Sequence, residues 1–161
     1  MENKQYKDNM NKTEQIIKRS VDFVIATCCL IFFSPLAIAC AIAIRLEDGL
    51  PVIYRQERIG LHGKPFFIYK FRSMKIDAEK DGPDLLEIKG DPRLTKVGRF
   101  LRMHHLDELP QLWNVFKGDM AFVGPRPERK FYIDQIMEHD PRYTYLYQIR
   151  PGVTSYATLY N

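Results

Sequence analysis

Residues 23–44 read FVIATCCLIFFSPLAIACAIAI and contain no charged side chain. A helix needs about 20 apolar residues to cross the hydrocarbon core of a bilayer, so this run is long enough to span one. The whole chain has 161 residues, of which 45% are hydrophobic and 27% are charged, proportions typical of a folded protein. The sequence therefore predicts one membrane segment attached to one small domain, and its length excludes a multi-span transporter.

Ser34 and Pro35 interrupt this run in its middle. Proline removes one backbone hydrogen bond and clashes with the preceding turn, so it kinks or breaks a helix, although transmembrane helices tolerate it. We expect Ser34 to bond back to a carbonyl group there. Basic residues flank the run on both sides, and positive flanks prefer the cytoplasm. We therefore favour a re-entrant membrane hairpin (helix, break, helix) over residues 20–45, with a single spanning helix as the alternative.

Charged residues mark the predicted membrane interface before the run. Lys18, Arg19 and Asp22 occupy this place, and residues 1–19 form a basic N-terminal segment. Arg19 and Asp22 would be neighbours on a helix, where they can form an ion pair. Because this charged tail precedes a long run, we do not expect a cleaved signal peptide.

The charge balance and the cysteines exclude several classes of protein. The formal net charge of +4 fits anionic partners such as phosphates or a membrane surface. Basic residues alternate with acidic ones and form no recognised nucleic-acid motif, so we expect no nucleic-acid partner. All three cysteines lie inside the apolar run, without the spacing of a metal site, which argues against a disulfide scaffold or a zinc module.

Residues 46–161 are predicted to form one small domain of the α+β class that is mostly helical. Two β-prone runs, at 52–54 and 66–69, enclose a segment with two glycines and predict a short β-hairpin. Apolar spacing predicts three helices, and Gly-Pro or Asp-Pro dipeptides predict loops. The helices are expected over 94–105, 109–116 and 127–138, and the loops at 81–83 and 90–92.

Asp107 and Glu108 stand directly before Leu109 and Pro110. Because proline is tolerated in the first turn of a helix, Asp107 is predicted to be the N-cap of the helix that follows. Free amides and the helix dipole at such an end favour phosphate, and adjacent carboxylates can help to hold Mg²⁺. An acidic cap without chemistry is the alternative.

Cationic side chains accompany this dyad along the chain. Arg102 lies upstream of it, and Lys70 and Arg72 follow a β-prone run. Arg126 stands between two prolines that fix its backbone, which suits an arginine that must be aimed at a phosphate group. The alternative for each is a solvated surface charge.

Seven short motifs, in their order and spacing, resemble the monotopic phosphoglycosyl transferases, the bacterial sugar transferases that load a phosphosugar onto polyprenol phosphate. The similarity covers about residues 16–161. The matching motifs are Lys18-Arg19 with Asp22, Ser34-Pro35, Lys70-Phe71-Arg72-Ser73-Met74, Leu106-Asp107-Glu108-Leu109-Pro110-Gln111-Leu112, Lys117-Gly118-Asp119-Met120, Gly124-Pro125-Arg126-Pro127 and Arg150-Pro151-Gly152-Val153-Thr154.

The resemblance implies a reaction. Asp107 would attack the β-phosphate of a UDP-sugar, UMP would leave, and polyprenyl (undecaprenyl) phosphate would then attack the aspartyl-phosphosugar intermediate. The implied cofactor is Mg²⁺, with the carboxylates of Asp107 and Glu108 as its ligands. Glu108 would help to position the ion or would assist proton transfer. The residues implied to contact the substrate are Lys70, Arg72, Arg102, Pro125, Arg126 and Arg150.

The resemblance also implies a place in the cell. The helix broken at Ser34 and Pro35 would enter the bacterial inner membrane, and the catalytic domain over 46–161 would face the cytoplasm and begin glycan assembly. A non-catalytic, membrane-bound scaffold subunit is the alternative.

The sequence departs from the family pattern in three places. His104 and His105 stand where a small polar residue is common, and residues 154–157 depart from the usual Thr-Gly-aromatic-Ala run. The chain stops at Asn161, where relatives usually continue with an amphipathic helical region, so we expect a shortened form.

Overall fold

A computed structural model of the protein describes residues 10–76, 78 and 91–155. The predicted loop at 81–83, part of the loop at 90–92 and residues 156–161 lie outside this range. Contacts divide the chain into two units. The first comprises the described residues of Met1–Leu30, Gln56–Ile68 and Gln111–Asn161, and the second those of Ile31–Arg55 and Tyr69–Pro110.

The apolar run lies within one helix, α1, which extends over Lys12–Asp48. Asn11 and Glu14 start it, because the side chain of each accepts a hydrogen bond from the backbone N–H of the other, at 2.9 and 2.8 Å. Gly49 ends it in the left-handed conformation, with φ of 72°. Among the described residues α1 alone is long and apolar enough to cross a membrane.

The predicted break at Ser34 and Pro35 is wrong, because both residues lie inside α1. Proline 35 lacks the N–H that would bond the carbonyl of Ile31, four residues earlier. The Ser34 hydroxyl donates to that carbonyl at 2.8 Å, which confirms the expected side-chain bond and compensates the missing donor. Re-entry of the helix into the membrane stays a prediction.

We expect Ser34→Ala to destabilise the membrane-embedded protein by about 0.6–2 kcal/mol, since the Ile31 carbonyl then loses the hydroxyl donor that stands in for the missing Pro35 N–H. The same substitution in a Pro35→Ala background should cost less, because alanine restores the backbone N–H. A double-mutant cycle of unfolding free energies in one detergent measures the difference. Equal costs in both backgrounds would contradict the compensation.

The first unit adds short elements to the first part of α1. Helices α3 and α4 occupy Gln111–Lys117 and Lys130–His139, and a 3-10 segment occupies Pro141–Gln148. Strands β3 (Ala121–Val123) and β4 (Gly152–Thr154) pair in parallel, which the sequence did not predict. Their core is formed by buried residues and by aromatic side chains packed against them, namely Ala26, Ile68, Val115, Met120, Phe66, Phe116 and Phe122.

The predicted hairpin is confirmed: β1 (Ile53–Ile59) and β2 (Pro65–Phe71) pair across a short 3-10 turn. The second unit contains helix α2 (Lys96–Met103), which lies within the predicted helix over 94–105. Its core is formed by Cys40, Ile44, Phe71 and Leu101.

Polar contacts hold the amino-terminal end of α2 in the second unit. Thr95 caps α2 by accepting from the backbone N–H of Gly98 at 2.8 Å. The Glu47 carboxylate accepts from the N–H groups of Lys96 and Val97 at 2.7 and 2.8 Å, so it binds the amides at the start of α2. These contacts fix the helix that carries Arg102.

Candidate active site

The Asp107–Glu108 dyad lies on a separate 3-10 turn, Leu106–Glu108. The prediction that Asp107 caps a helix is therefore wrong, since α3 begins only at Gln111. His105 takes the left-handed conformation, with φ of 54°, and this residue separates α2 from the turn. The ring of neighbouring His104 packs against that of Phe100, with centroids 4.3 Å apart and planes at 39°.

Asp107 is the buried member of the dyad, with 7% of its surface exposed. Burial raises the pKa of its carboxyl group, and the nearby positive charges of Lys70 and Arg102 oppose that rise. The negative charge of Glu108 adds to it. A carboxylate in this environment is poorly solvated, which suits a nucleophile or a general base.

Lys70, at the end of β2, forms an ion pair with Glu108, and its Nζ lies 2.7 Å from Oε1. The side chains are 23% and 25% exposed, so both remain accessible to a ligand. The two residues are 38 positions apart in the chain. The sequence predicted a contact of Lys70 with the substrate but no contact with Glu108. The structure brings this cation to the dyad itself.

The side chain of Arg102 is oriented by Ser73, a motif residue for which the sequence predicted no role. Its Nε donates to the Ser73 hydroxyl at 2.9 Å. Helix α2 approaches Ser73 so closely that a Cβ on Gly98 would lie 1.9 Å from the Ser73 carbonyl oxygen. A glycine inside a predicted helix was the available signal of this close approach.

Arg72 was predicted to contact substrate, and the structure shows it almost fully buried, at 5% exposure. Its Nη2 donates to the carbonyls of Asp48 and Gly49 at 2.7 and 3.0 Å and lies 3.2 Å from the Asp48 carboxylate. A cation at the carboxyl end of α1 is favoured by the helix dipole. These contacts indicate an anchoring role.

In the first unit, Arg126 is exposed and makes no hydrogen bond or ion pair with any described residue. Its neighbour Pro125 is held because its carbonyl accepts from the N–H of Gly152 at 2.9 Å. The arrangement leaves an arginine on a fixed backbone with its guanidinium available, as expected for a phosphate contact.

Arg150 and Arg19 meet at the carboxyl end of α3. Arg150 Nε donates to the Gly118 carbonyl at 3.1 Å, and Arg19 donates to the carbonyls of Val115 and Phe116 at 2.6 and 2.7 Å. Both cations therefore compensate orphan carbonyls and the negative end of the helix dipole.

The predicted ion pair between Arg19 and Asp22 is wrong. Asp22 pairs with Lys18 instead, at 2.9 Å and with the i,i+4 spacing that places two side chains on one helix face. Arg19 points to α3, as described above. The three interface residues and Arg150 line one cleft of about 900 Å³ in this unit, together with Lys12 and His62.

The carboxylates of the dyad are the oxygen ligands available for a metal. Among the described residues there is no group of three or more His, Cys, Asp or Glu side chains that would hold a metal together. Mg²⁺ is often bound by one or two carboxylates that share it with substrate phosphates, and this donor set fits that arrangement.

Comparison with known proteins agrees with the sequence motifs. A family model described as bacterial sugar transferase matches residues 13–161. The UDP-N-acetylgalactosamine-undecaprenyl-phosphate N-acetylgalactosaminephosphotransferase of Aeromonas hydrophila is 43% identical over 141 residues, 88% of this chain and 33% of that protein.

Two glucose-1-phosphate transferases are also similar. The UDP-glucose:undecaprenyl-phosphate glucose-1-phosphate transferase of Escherichia coli (strain K12) is 40% identical over 96% of this chain and 33% of its own length. The protein of the same name in Caulobacter vibrioides is 46% identical over 87% of this chain and 52% of its own length. The chain thus spans between a third and about half of these curated relatives.

Proposed function

Because the chain belongs to the bacterial sugar transferase family, we propose that it transfers a sugar phosphate from a UDP-sugar to polyprenyl (undecaprenyl) phosphate, with release of UMP. The observation that carries this proposal is the buried Asp107 beside the Lys70–Glu108 ion pair. The names of the relatives, which pair a UDP-sugar with undecaprenyl phosphate, support the choice of substrates.

Asp107 is the nucleophile in this proposal. One carboxylate oxygen attacks the β-phosphorus of the UDP-sugar, the bond from that phosphorus to the bridging oxygen breaks, and UMP leaves with the electron pair. An oxygen of polyprenyl phosphate then attacks the same phosphorus and returns the Asp107 carboxylate. The products are a polyprenyl-diphosphate-sugar and UMP, the first step of assembling a glycan.

In this proposal, cationic side chains of each unit stabilise negative charge during both steps. Lys70 and Arg102 favour the ionised form of Asp107 before attack, because each lowers its pKa. Arg126, exposed and without a partner among the described residues, binds a phosphate oxygen through its guanidinium. Glu108 keeps Lys70 in place, since their charged atoms lie 2.7 Å apart.

Asp107 and Glu108 would hold Mg²⁺ together with the diphosphate of the substrate. When bound, the ion supplies positive charge that offsets the phosphate charges. Removal of divalent ions with a chelator should therefore abolish UMP release, and added Mg²⁺ should restore it.

A UMP-release screen across UDP-sugars tests the proposal, with the full chain in membranes that contain undecaprenyl phosphate. The screen includes UDP-glucose and UDP-N-acetylgalactosamine, since relatives carry both names. UMP release that depends on both the divalent ion and the lipid acceptor is the expected result. Failure with every donor, in a folded protein, would instead favour the non-catalytic scaffold.

We further propose that α1 kinks at Pro35 while staying helical and so re-enters the bacterial inner membrane, with both of its flanks and the catalytic domain facing the cytoplasm. The exposed apolar side chains along α1, such as Ile31 at 71% and Phe32 at 76%, support insertion into lipid. Cysteines introduced at positions 3 and 64, in a background without the native cysteines, should react from the cytoplasmic side only. Labelling from opposite sides would indicate a spanning helix.

The pKa of Asp107 leads to a prediction about pH. Burial raises that pKa, and attack requires the ionised form of Asp107. As the pH is lowered, we therefore expect activity to decline at a higher pH than an ordinary aspartate would give. Lys70→Met removes a cation that lowers the pKa of Asp107. The negative charge of Glu108, which raises that pKa, remains. The acid limb of kcat/KM against pH should therefore move to higher pH.

Lys64→Met is the matched control, since Lys64 is an exposed lysine in the turn of the hairpin. Its profile should coincide with that of the unmodified chain. A limb that stays in place or moves to lower pH in Lys70→Met would contradict the assignment.

A further inference from the structure

An exposed aromatic surface connects α3 to the first part of α1, within the first unit. Trp113, on α3, is 47% exposed and stacks on Phe116, with ring centroids 5.1 Å apart and planes at 16°. Phe116 also stacks on Phe23 of α1, with centroids 4.9 Å apart and planes at 28°. We call Trp113, Phe116 and Phe23 the aromatic surface.

Phe23 fixes the level of this surface along α1. It is the first residue of the uncharged run 23–44, directly after Asp22, so it lies where α1 passes from charged to apolar sequence. Two stacking contacts keep Trp113 within about 10 Å of Phe23. Trp113 therefore lies near the level at which α1 enters the bilayer.

The polar groups around the aromatic surface are those found at a membrane interface. The Arg19 guanidinium lies 5.9 Å from the centre of the Phe23 ring. Lys18 and Lys117 have 37% and 40% of their side chains exposed, although each is paired with an aspartate. Long basic side chains and tryptophan or tyrosine rings together mark the layer between water and hydrocarbon.

Continuity with α1 favours lipid over protein as the occupant. Val21, Val24 and Ile25, which flank Phe23 on α1, are themselves 44% to 57% exposed. A protein partner that covered Trp113 would have to share this layer with the lipid around those residues. An amphipathic indole ring is stable at such a boundary without a protein partner.

We propose that the aromatic surface lies in the headgroup layer of the bilayer, so that α3 is a second membrane contact besides α1. The proposal does not depend on the sugar-phosphate transfer, but it rests on the proposed insertion of α1 into the membrane, which a depth reference on α1 tests separately. It makes α3 an element that sets how deeply the first unit sits in the membrane.

The chain contains a single tryptophan, so its fluorescence reports position 113 alone. The test reconstitutes the full chain in bilayers of zwitterionic and anionic lipid that carry bromine either close to the headgroups or near the ends of the acyl chains. Bromine quenches tryptophan on contact. We expect a larger loss of emission from bromine close to the headgroups.

A depth reference comes from the same helix. In a chain with Trp113→Phe and Cys28→Trp, the new indole stands at an exposed position five residues beyond Phe23, about 7.5 Å further along α1. Its emission should be quenched more by deep bromine than that of Trp113 is. This reference shows that the protein is inserted and that the assay resolves depth.

Three results would overturn the proposal once the reference behaves as expected. Trp113 emission that no bromolipid reduces would mean that water or protein covers the surface. Quenching that falls as the ratio of protein to lipid rises would identify a second copy as the occupant. Stronger quenching by deep bromine would place the indole in the hydrocarbon core.

Discussion

Asp107→Asn is expected to lower UMP release by at least about a thousandfold and to abolish the covalent phosphosugar adduct. Asparagine keeps the size of the side chain but lacks a negatively charged oxygen that can attack phosphorus. The measurements are UMP release and the mass of the protein after mixing with a UDP-sugar in the absence of the lipid acceptor. The adduct should appear in the unmodified chain only.

Stability separates this loss of chemistry from a loss of structure. Because burial raises the pKa of Asp107, its ionised form is less favoured in the folded chain than in the unfolded one. That penalty develops as pH rises through the two pKa values and is fully present above both, so removal of the charge at such a pH should leave stability unchanged or higher. Thermal unfolding in one detergent provides the check.

Asp134→Asn serves as the control for the nucleophile. Asp134 lies on α4, is more than half exposed and pairs with Lys130 at 2.7 Å. Its replacement should leave UMP release near the unmodified rate. Full turnover by Asp107→Asn would exclude the covalent mechanism, whereas unfolding of that variant would make Asp107 a structural residue.

Gly98→Ala is expected to destabilise the protein by about 3 kcal/mol or more, although alanine normally stabilises a helix interior. The added Cβ would lie 1.9 Å from the Ser73 carbonyl oxygen and 2.6 Å from the Ser73 Cα. Both are backbone atoms, so α2 itself must move away. Because α2 carries Arg102, the bond from Arg102 to Ser73 should be lost as well.

Gly63→Ala gives the comparison for this variant. Gly63 has φ of +71° with no atom within 4 Å of an added Cβ, so alanine there should cost only about 1–2 kcal/mol of backbone strain. Unfolding free energies of both variants and the unmodified chain are measured in the same detergent. A Gly98→Ala protein as stable as the unmodified chain would show that α2 is free to shift.

Local sequence patterns predicted the elements whose cause is local. The uncharged run produced α1, the β-prone runs produced β1 and β2, and helical spacing produced α2. The position of Asp107 was missed because a single left-handed residue, His105, separates its turn from α2. Nothing in the spacing of apolar residues reports the sign of one φ angle.

Contacts between distant residues could not be predicted in the same way. Lys70 and Arg72 stand two residues apart and read alike in the sequence, as cations after a β-prone run. In the structure Lys70 meets Glu108, whereas Arg72 is buried against Asp48. Residues two apart on an extended chain share one face, so the sequence pattern indicates a common side and not which partner each one meets. In the structure Arg72 lies just beyond the last residue of β2.

The amino-acid sequence by itself determined that an uncharged helix, a hairpin and a carboxylate dyad with several cations are present, because these follow from periodicity and from residue chemistry. Only the tertiary structure decided that α1 continues through Pro35, that Lys70 pairs with Glu108, and that Asp107 is buried. Burial and ion pairing depend on which distant segments pack together. The packing of the whole chain selects those neighbours, and with them the pKa of the carboxyl group proposed to do the chemistry.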